Sequence, residues 1–179
     1  MNKLLLEGLI GRPLTEKAPA ASDAAKAEVA AALDLKARTY LGRSLSIRQV
    51  DAGSCNGCEL EIHAVQNAFY DLERFGVHFV ASPRHADVLL VTGPVTKNMR
   101  EALERTYNAT PNPKWVVALG DCALDGGLFA ESYAVTGGVS SVVPVDLHIR
   151  GCPPSPLQIL EGLLALLDKP PKSLKTASA

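Results

Sequence analysis

Leu45-Ser46-Ile47-Arg48-Gln49-Val50-Asp51-Ala52-Gly53-Ser54-Cys55-Asn56-Gly57-Cys58-Glu59 reads as a β-strand running into a glycine-marked loop that holds two cysteines. Leu60 to Phe69 then has a helical pattern, with Leu60, Ala64 and Ala68 on one face and Val65 and Phe69 beside it. The alternation continues downstream. Val77-His78-Phe79-Val80, Val88-Leu89-Leu90-Val91 and Trp115-Val116-Val117-Ala118-Leu119 are short apolar strands, and Ser141 to Ile149 is a final, interrupted one. Asn98 to Asn108 is a helix stopped by Pro111 and Pro113. Pro156 to Asp168 is a closing amphipathic helix, with Leu157, Leu160, Leu164 and Leu167 as its apolar face. Apolar β-runs separated by helices predict an α/β fold, a doubly wound and mostly parallel sheet with helices on both faces.

This α/β domain is expected over residues 45–168. Residues 1–44 differ in character: Pro13, Pro19 and the alanine-rich stretch Ala20 to Ala32 bring little large apolar surface. Helix propensity is good from Ala24 to Lys36, but Val29, Leu33 and Leu35 form only a thin stripe. The reading is an N-terminal extension with one helix. Leu4-Leu5-Leu6 and Leu9-Ile10 favour docking on partner subunits over a floppy arm. Residues 169–179 read as a flexible tail, and there is no internal repeat.

The chain has 179 residues, 47% of them hydrophobic and 21% charged, which suits one domain with an appendage and an ordinary core. Its 18 basic and 19 acidic residues give a net charge of -1, which argues against nucleic acid as a partner. No apolar run approaches the roughly 20 residues that span a bilayer, and the first residues are too briefly apolar for a secretory signal. The expected compartment is the cytosol, where thiols stay reduced and clustered cysteines mean metal or catalysis more often than disulfides.

All four cysteines lie in loops marked by glycine or proline: Cys55 and Cys58 after the first strand, Cys122 in Gly120-Asp121-Cys122-Ala123, and Cys152 in Gly151-Cys152-Pro153-Pro154. In a doubly wound sheet these loops emerge together at the carboxyl edge, where ligands bind. Gly53, Gly57, Gly120 and Gly151 allow tight turns and close approach, and Pro153 fixes the chain after Cys152. Structural zinc sites made of four cysteines usually show two C-x-x-C pairs. Here one pair precedes two isolated cysteines, which suits a larger iron–sulfur group better than a single ion. A redox dithiol would leave Cys122 and Cys152 unexplained. A zinc-stabilised interaction module stays open as an alternative.

The segments Asp51 to Glu59, Ser82-Pro83-Arg84-His85-Ala86-Asp87, Thr92-Gly93-Pro94-Val95-Thr96, Gly120-Asp121-Cys122-Ala123, Gly126-Gly127 and Pro144 to Pro154 together resemble one superfamily. It unites the small subunit of [NiFe] hydrogenases with the B (20 kDa-type) subunit of respiratory complex I. The resemblance covers roughly Leu45 to Leu167. Within it, Asn56 and Gly57 separate the first two cysteines as in hydrogenases, and no spare cysteine exists for further clusters. The pattern is most similar to the small subunits of membrane-bound, energy-converting (group 4) hydrogenases of the formate-hydrogenlyase type. The resemblance implies a flavodoxin-like domain holding one [4Fe-4S] cluster on Cys55, Cys58, Cys122 and Cys152. It implies electron transfer between a ferredoxin-like iron–sulfur subunit and the active site of a large subunit, beside integral membrane subunits on the cytoplasmic side of the inner membrane. The alternative it leaves is a complex-I-like oxidoreductase without nickel. In neither case does this chain turn over substrate alone.

Other residues carry two readings each. Glu59, directly after Cys58, is either a proton relay or a helix-start acid favoured by the macrodipole, and the resemblance tips it toward function. Arg84 either supports a reduced cluster as a nearby cation or makes a salt bridge to Asp87. His63, His78 and His148 default to structural roles. Thr92 to Thr96 lacks the P-loop arrangement, so nucleotide binding is not expected.

Overall fold

The structure, a computed structural model, describes residues 23–168; the Leu4–Leu6 and Leu9–Ile10 segments and the 169–179 tail lie outside the described residues. Its elements in chain order are α1 (Asp23–Leu41), β1 (Leu45–Asp51), α2 (Gly57–Val65), β2 (Val77–Phe79), β3 (Val88–Thr92), β4 (Val95–Thr96), α3 (Lys97–Ala109), β5 (Trp115–Leu119), α4 (Asp121–Asp125), β6 (Val135–Gly137), β7 (Leu147–Ile149) and α5 (Pro156–Leu166). Five strands form one sheet in the order β2-β1-β3-β5-β7, with every neighbouring pair parallel. Counting only these strands, the order is 2-1-3-4-5, the doubly wound arrangement of flavodoxin. β4 and β6 pair antiparallel in a separate two-stranded ribbon.

All residues of β3 and β5 are buried, as continuous apolar runs in a sheet covered on both faces should be. One face carries Ile47, Leu90, Val117 and Ile149 under α1, α2 and α5; the other carries Leu89, Val91, Val116 and Ala118 under α3 and α4. α3 is capped by Thr96, whose hydroxyl accepts the Met99 N–H. α5 starts with Pro156 behind a reciprocal capping box between Ser155 and Gln158.

Three local expectations change. α2 begins at Gly57 because Asn56 takes a left-handed conformation (φ 71°). It ends at Val65, and the Asn67 side chain then accepts the N–H groups of Phe69 and Tyr70 in a turn. The inward stripe is therefore Glu59, Ile62 and Val65, while Leu60 and Phe69 are about 60% exposed. In α5 Leu160 is buried as expected, as is Leu167 just beyond the helix, but Ile159, Leu163 and Leu166 complete the buried set in place of Leu157 and Leu164, which are only half-buried. The stretch before β7 is no strand: it holds a 3₁₀ turn over Val139–Ser141, and the strand itself is only Leu147–Ile149.

α1 packs within the chain. Its Leu33 and Ala37 are fully buried in the same cluster as α2 and α5, whereas Leu35 points to solvent; the Val29 side chain lies outside the described residues. Lys36 Nζ also meets Asp168 at 2.6 Å beyond the end of α5. Leu33→Ala should therefore cost about 2–5 kcal/mol of stability, the usual range for emptying a buried leucine site, in chemical denaturation of the chain. A loss well under 1 kcal/mol would mean that α1 does not share this core.

Candidate metal centre

The sheet register sets the geometry of the site. Asp51 pairs with Thr92, Thr92 with Leu119 and Leu119 with Ile149, so four residues stand in one row at the carboxyl ends of β1, β3, β5 and β7. Cys55 lies four residues beyond this row on the β1 loop, Cys122 three beyond it after β5, and Cys152 three beyond it after β7. The three loops thus rise from one rim. Cys55, Cys58, Cys122 and Cys152 line a single cavity of about 80 Å³, together with Ser54, Gly57, Gly93, Asp121, Gly151 and Pro153. All four are free thiols; Cys55 and Cys152 are exposed, Cys58 and Cys122 half-buried.

The backbone around the thiols is shaped for close approach. Gly120 has φ +91°, and a Cβ there would stand 2.7 Å from Cys58 Sγ, so no side chain fits without displacing that sulfur. Gly57 is less constrained: its Cβ would meet Cys55 Sγ at an ordinary 3.5 Å, and the left-handed turn belongs to Asn56 instead. Cys58 Sγ also lies 3.8 Å from the Leu119 carbonyl oxygen. The peptide bond between Cys152 and Pro153 is cis.

Electrostatics tie the four thiols to one another. The Cys58 thiol is pushed up to about 12, first by burial, then by Glu59 and by the negative charge of Cys55, Cys122 and Cys152. Cys122 is raised too, by burial and by Cys152 and Cys55, against a backbone hydrogen bond from Leu128 that lowers it. Thiolates that oppose one another's ionisation become a ligand set once a cationic group compensates their charge. Among the described residues, no three His, Cys, Asp or Glu side chains are arranged to grip one metal ion. Four thiols around a cavity, with glycine where a Cβ would intrude, fit a larger sulfur-ligated group.

Glu59 is not an exposed first-turn acid. It is 7% exposed, and its carboxyl accepts hydrogen bonds from Ser54 Oγ at 2.6 Å and from Thr92 Oγ1. Ser54 in turn accepts the Asn56 N–H and lines both the cysteine cavity and a neighbouring groove of about 240 Å³ with Pro94, Thr96 and Phe129. Nothing in the local sequence links Ser54 and Thr92 to Glu59. The available signal was a hydroxyl ending the otherwise apolar β3 at the rim.

Arg84 is exposed on the connection that enters β3 at its amino end, and it does not line the cysteine cavity. Asp87 pairs instead with Arg43, through two bonds of 2.6 and 3.0 Å, and accepts the Ser46 N–H. His63 is exposed on α2, and none of the four histidines lines the cysteine cavity.

Comparison with known proteins agrees with this architecture. Residues 55–166 match the family described as NADH ubiquinone oxidoreductase, 20 Kd subunit. The chain is 47% identical over 136 residues to the "Probable membrane-bound hydrogenase subunit mbhJ" of Pyrococcus furiosus, covering 76% of this chain and 81% of that one. It is 47% identical over 125 residues to formate hydrogenlyase subunit 7 of Escherichia coli, covering 70% of this chain but only 49% of that longer protein. Among solved structures, it resembles a chain of the membrane-bound sulfane sulfur reductase, an archaeal respiratory membrane complex, with 33% identity and a TM-score of 0.63 over 77% of this chain and 74% of that one. A chain of an NAD+-reducing [NiFe]-hydrogenase shares the fold at 22% identity and a TM-score of 0.56, covering 72% of this chain and 94% of that one. Among the described residues no helix is long and apolar enough to cross a membrane. The chain is an oxidoreductase subunit belonging to the family of the 20 kDa subunit of NADH ubiquinone oxidoreductase, which includes subunits of membrane-bound hydrogenases.

Proposed function

We propose that this chain is the electron-transfer subunit of a membrane-bound [NiFe] hydrogenase complex, holding one [4Fe-4S] cluster on Cys55, Cys58, Cys122 and Cys152. The observation that carries the reading is the convergence of all four thiols on one cavity at the rim of a parallel sheet. When bound, such a cluster supplies reversible one-electron chemistry. The protein's part is to hold four thiolates, keep Gly120 clear of Cys58, and bury Cys58 in part. The partners are a hydrogenase-type large subunit, a ferredoxin-like iron–sulfur subunit and integral membrane subunits, with this chain peripheral on the cytoplasmic side.

Glu59 takes the role of proton relay. Its carboxyl, held between Ser54 Oγ and Thr92 Oγ1, can pass a proton through the Ser54 hydroxyl toward the adjoining groove. A position next to Cys58 lets proton and electron charge compensate each other over a short distance.

A second reading is favoured by the likeness to the sulfane sulfur reductase. The same cluster subunit then serves a complex-I-like oxidoreductase whose large subunit has no nickel. Metal analysis of the whole assembly separates the two readings, since nickel equimolar with the large subunit supports the hydrogenase and its absence supports the other.

Two outcomes test the assignment. The complex purified without oxygen should contain, attributable to this chain, about four iron and four acid-labile sulfide, and Cys122→Ser should lose or convert the cluster while the sheet stays folded by circular dichroism. Stoichiometric zinc without sulfide, or an unchanged reduced-state EPR spectrum in Cys122→Ser, contradicts it. For the relay, Glu59→Gln should slow turnover of the complex about 10²-fold with iron, sulfide and EPR spectrum unchanged. Wild-type turnover in that variant removes Glu59 from the proton path.

A further inference from the structure

The loops of Cys122 and Cys152 are separated by 30 positions in sequence, yet they are stitched together directly. Gly120 N–H donates to the Ile149 carbonyl at 2.8 Å and Asp121 N–H to the Gly151 carbonyl at 3.0 Å. The Asp121 side chain completes the link, its Oδ1 accepting the Gly151 N–H at 3.2 Å. Among the described hydrogen bonds this is the one side-chain bond joining the two loops. Asp121 therefore grips both polar groups of the residue immediately before Cys152, from the position immediately before Cys122.

Gly151 is a residue whose shape needs holding. Its φ is +138°, and a Cβ there would stand 2.5 Å from Pro154 Cα, so the turn tolerates only glycine and leaves the backbone its full intrinsic freedom. A free turn of that kind would let Cys152, which is exposed, sample many positions. The loop of Cys55 is organised differently, by a side chain at its own start: Asp51 Oδ1 accepts the N–H groups of Gly53 and Ser54, both at 2.7 Å. Asp121 lines the cavity shared by all four thiols and also the wider groove of about 590 Å³ between Cys122 and Cys152.

We propose that Asp121 is a positioning residue that fixes Cys122 and Cys152 as a pre-set pair of ligands, so that two of the four thiols stand in place before anything binds. This rests on the cluster reading above. Preorganising a ligand pair removes the ordering cost that a loose Gly151 turn would otherwise impose on binding.

The test compares Asp121→Asn, which keeps an oxygen able to accept the Gly151 N–H, with Asp121→Leu, which keeps the size and loses the acceptor. Each is built into the complex and purified without oxygen beside wild type. Iron, acid-labile sulfide and the reduced-state EPR spectrum are read per assembled complex. Asp121→Leu should assemble but carry at most half the wild-type iron and sulfide attributable to this chain, or the altered spectrum of a cluster missing a ligand. Asp121→Asn should match wild type in loading and spectral shape. The proposal is overturned if Asp121→Leu loads fully with an unchanged spectrum, or if Asp121→Asn is as depleted as Asp121→Leu. It is also overturned if Asp121→Leu fails to assemble, which makes the residue structural. Wild type itself lacking sulfide would defeat the cluster reading instead, and the two failures are thereby told apart.

Discussion

Everything at this site depends on five strands running the same way. In a parallel sheet the carboxyl ends share one edge, so loops far apart in sequence must rise side by side. The row formed by Asp51, Thr92, Leu119 and Ile149 makes that constraint concrete: each is a register partner of the next, and each cysteine loop departs from it within a few residues. No single loop has to be long or rigid to build the site. The sheet does the positioning, and short glycine-bearing turns cover the last few ångströms.

Those turns meet a chemical problem, because four thiols near one another resist losing their protons. Burial and mutual repulsion push Cys58 and Cys122 in the same direction. Four thiols so placed are poorly suited to act as free thiolates, in keeping with the proposed role as ligands of a cationic inorganic core. The polar groups nearby are arranged in keeping with that. Asp51 and Asp121 hold loop backbone, and the carboxyl of Glu59 is satisfied by two hydroxyls in a nearly water-free position.

The sequence made the strands and the cysteine convergence legible because both follow from patterns with one physical meaning. Val88-Leu89-Leu90-Val91 and Trp115 to Leu119 are too apolar to face water on either side, which demands a covered parallel sheet. The helix phases were less legible. In α2 the stripe through Leu60 and Ala64 reads as apolar, but Asn56 starts the helix at Gly57 and the residues that turn inward are Glu59, Ile62 and Val65. A buried, hydrogen-bonded carboxyl does not register as a core residue in a pattern of hydrophobicity. Partnerships across the rim, such as Thr92 with Glu59 or Asp121 with Gly151, depend on strand order and register, which local sequence does not encode. The α1 helix shows the same limit: its stripe is thin in the sequence, yet Leu33 and Ala37 are fully buried in the core shared with α5.

X-ray absorption at the metal edge of the complex, purified without oxygen and compared with a Cys122→Ser control, tests the central claim most directly. The account expects an iron edge with a sulfur shell and a second shell of neighbouring iron that weakens or changes in the control. A zinc edge with one sulfur shell near 2.3 Å and no metal neighbour, lost in the same control, would contradict it.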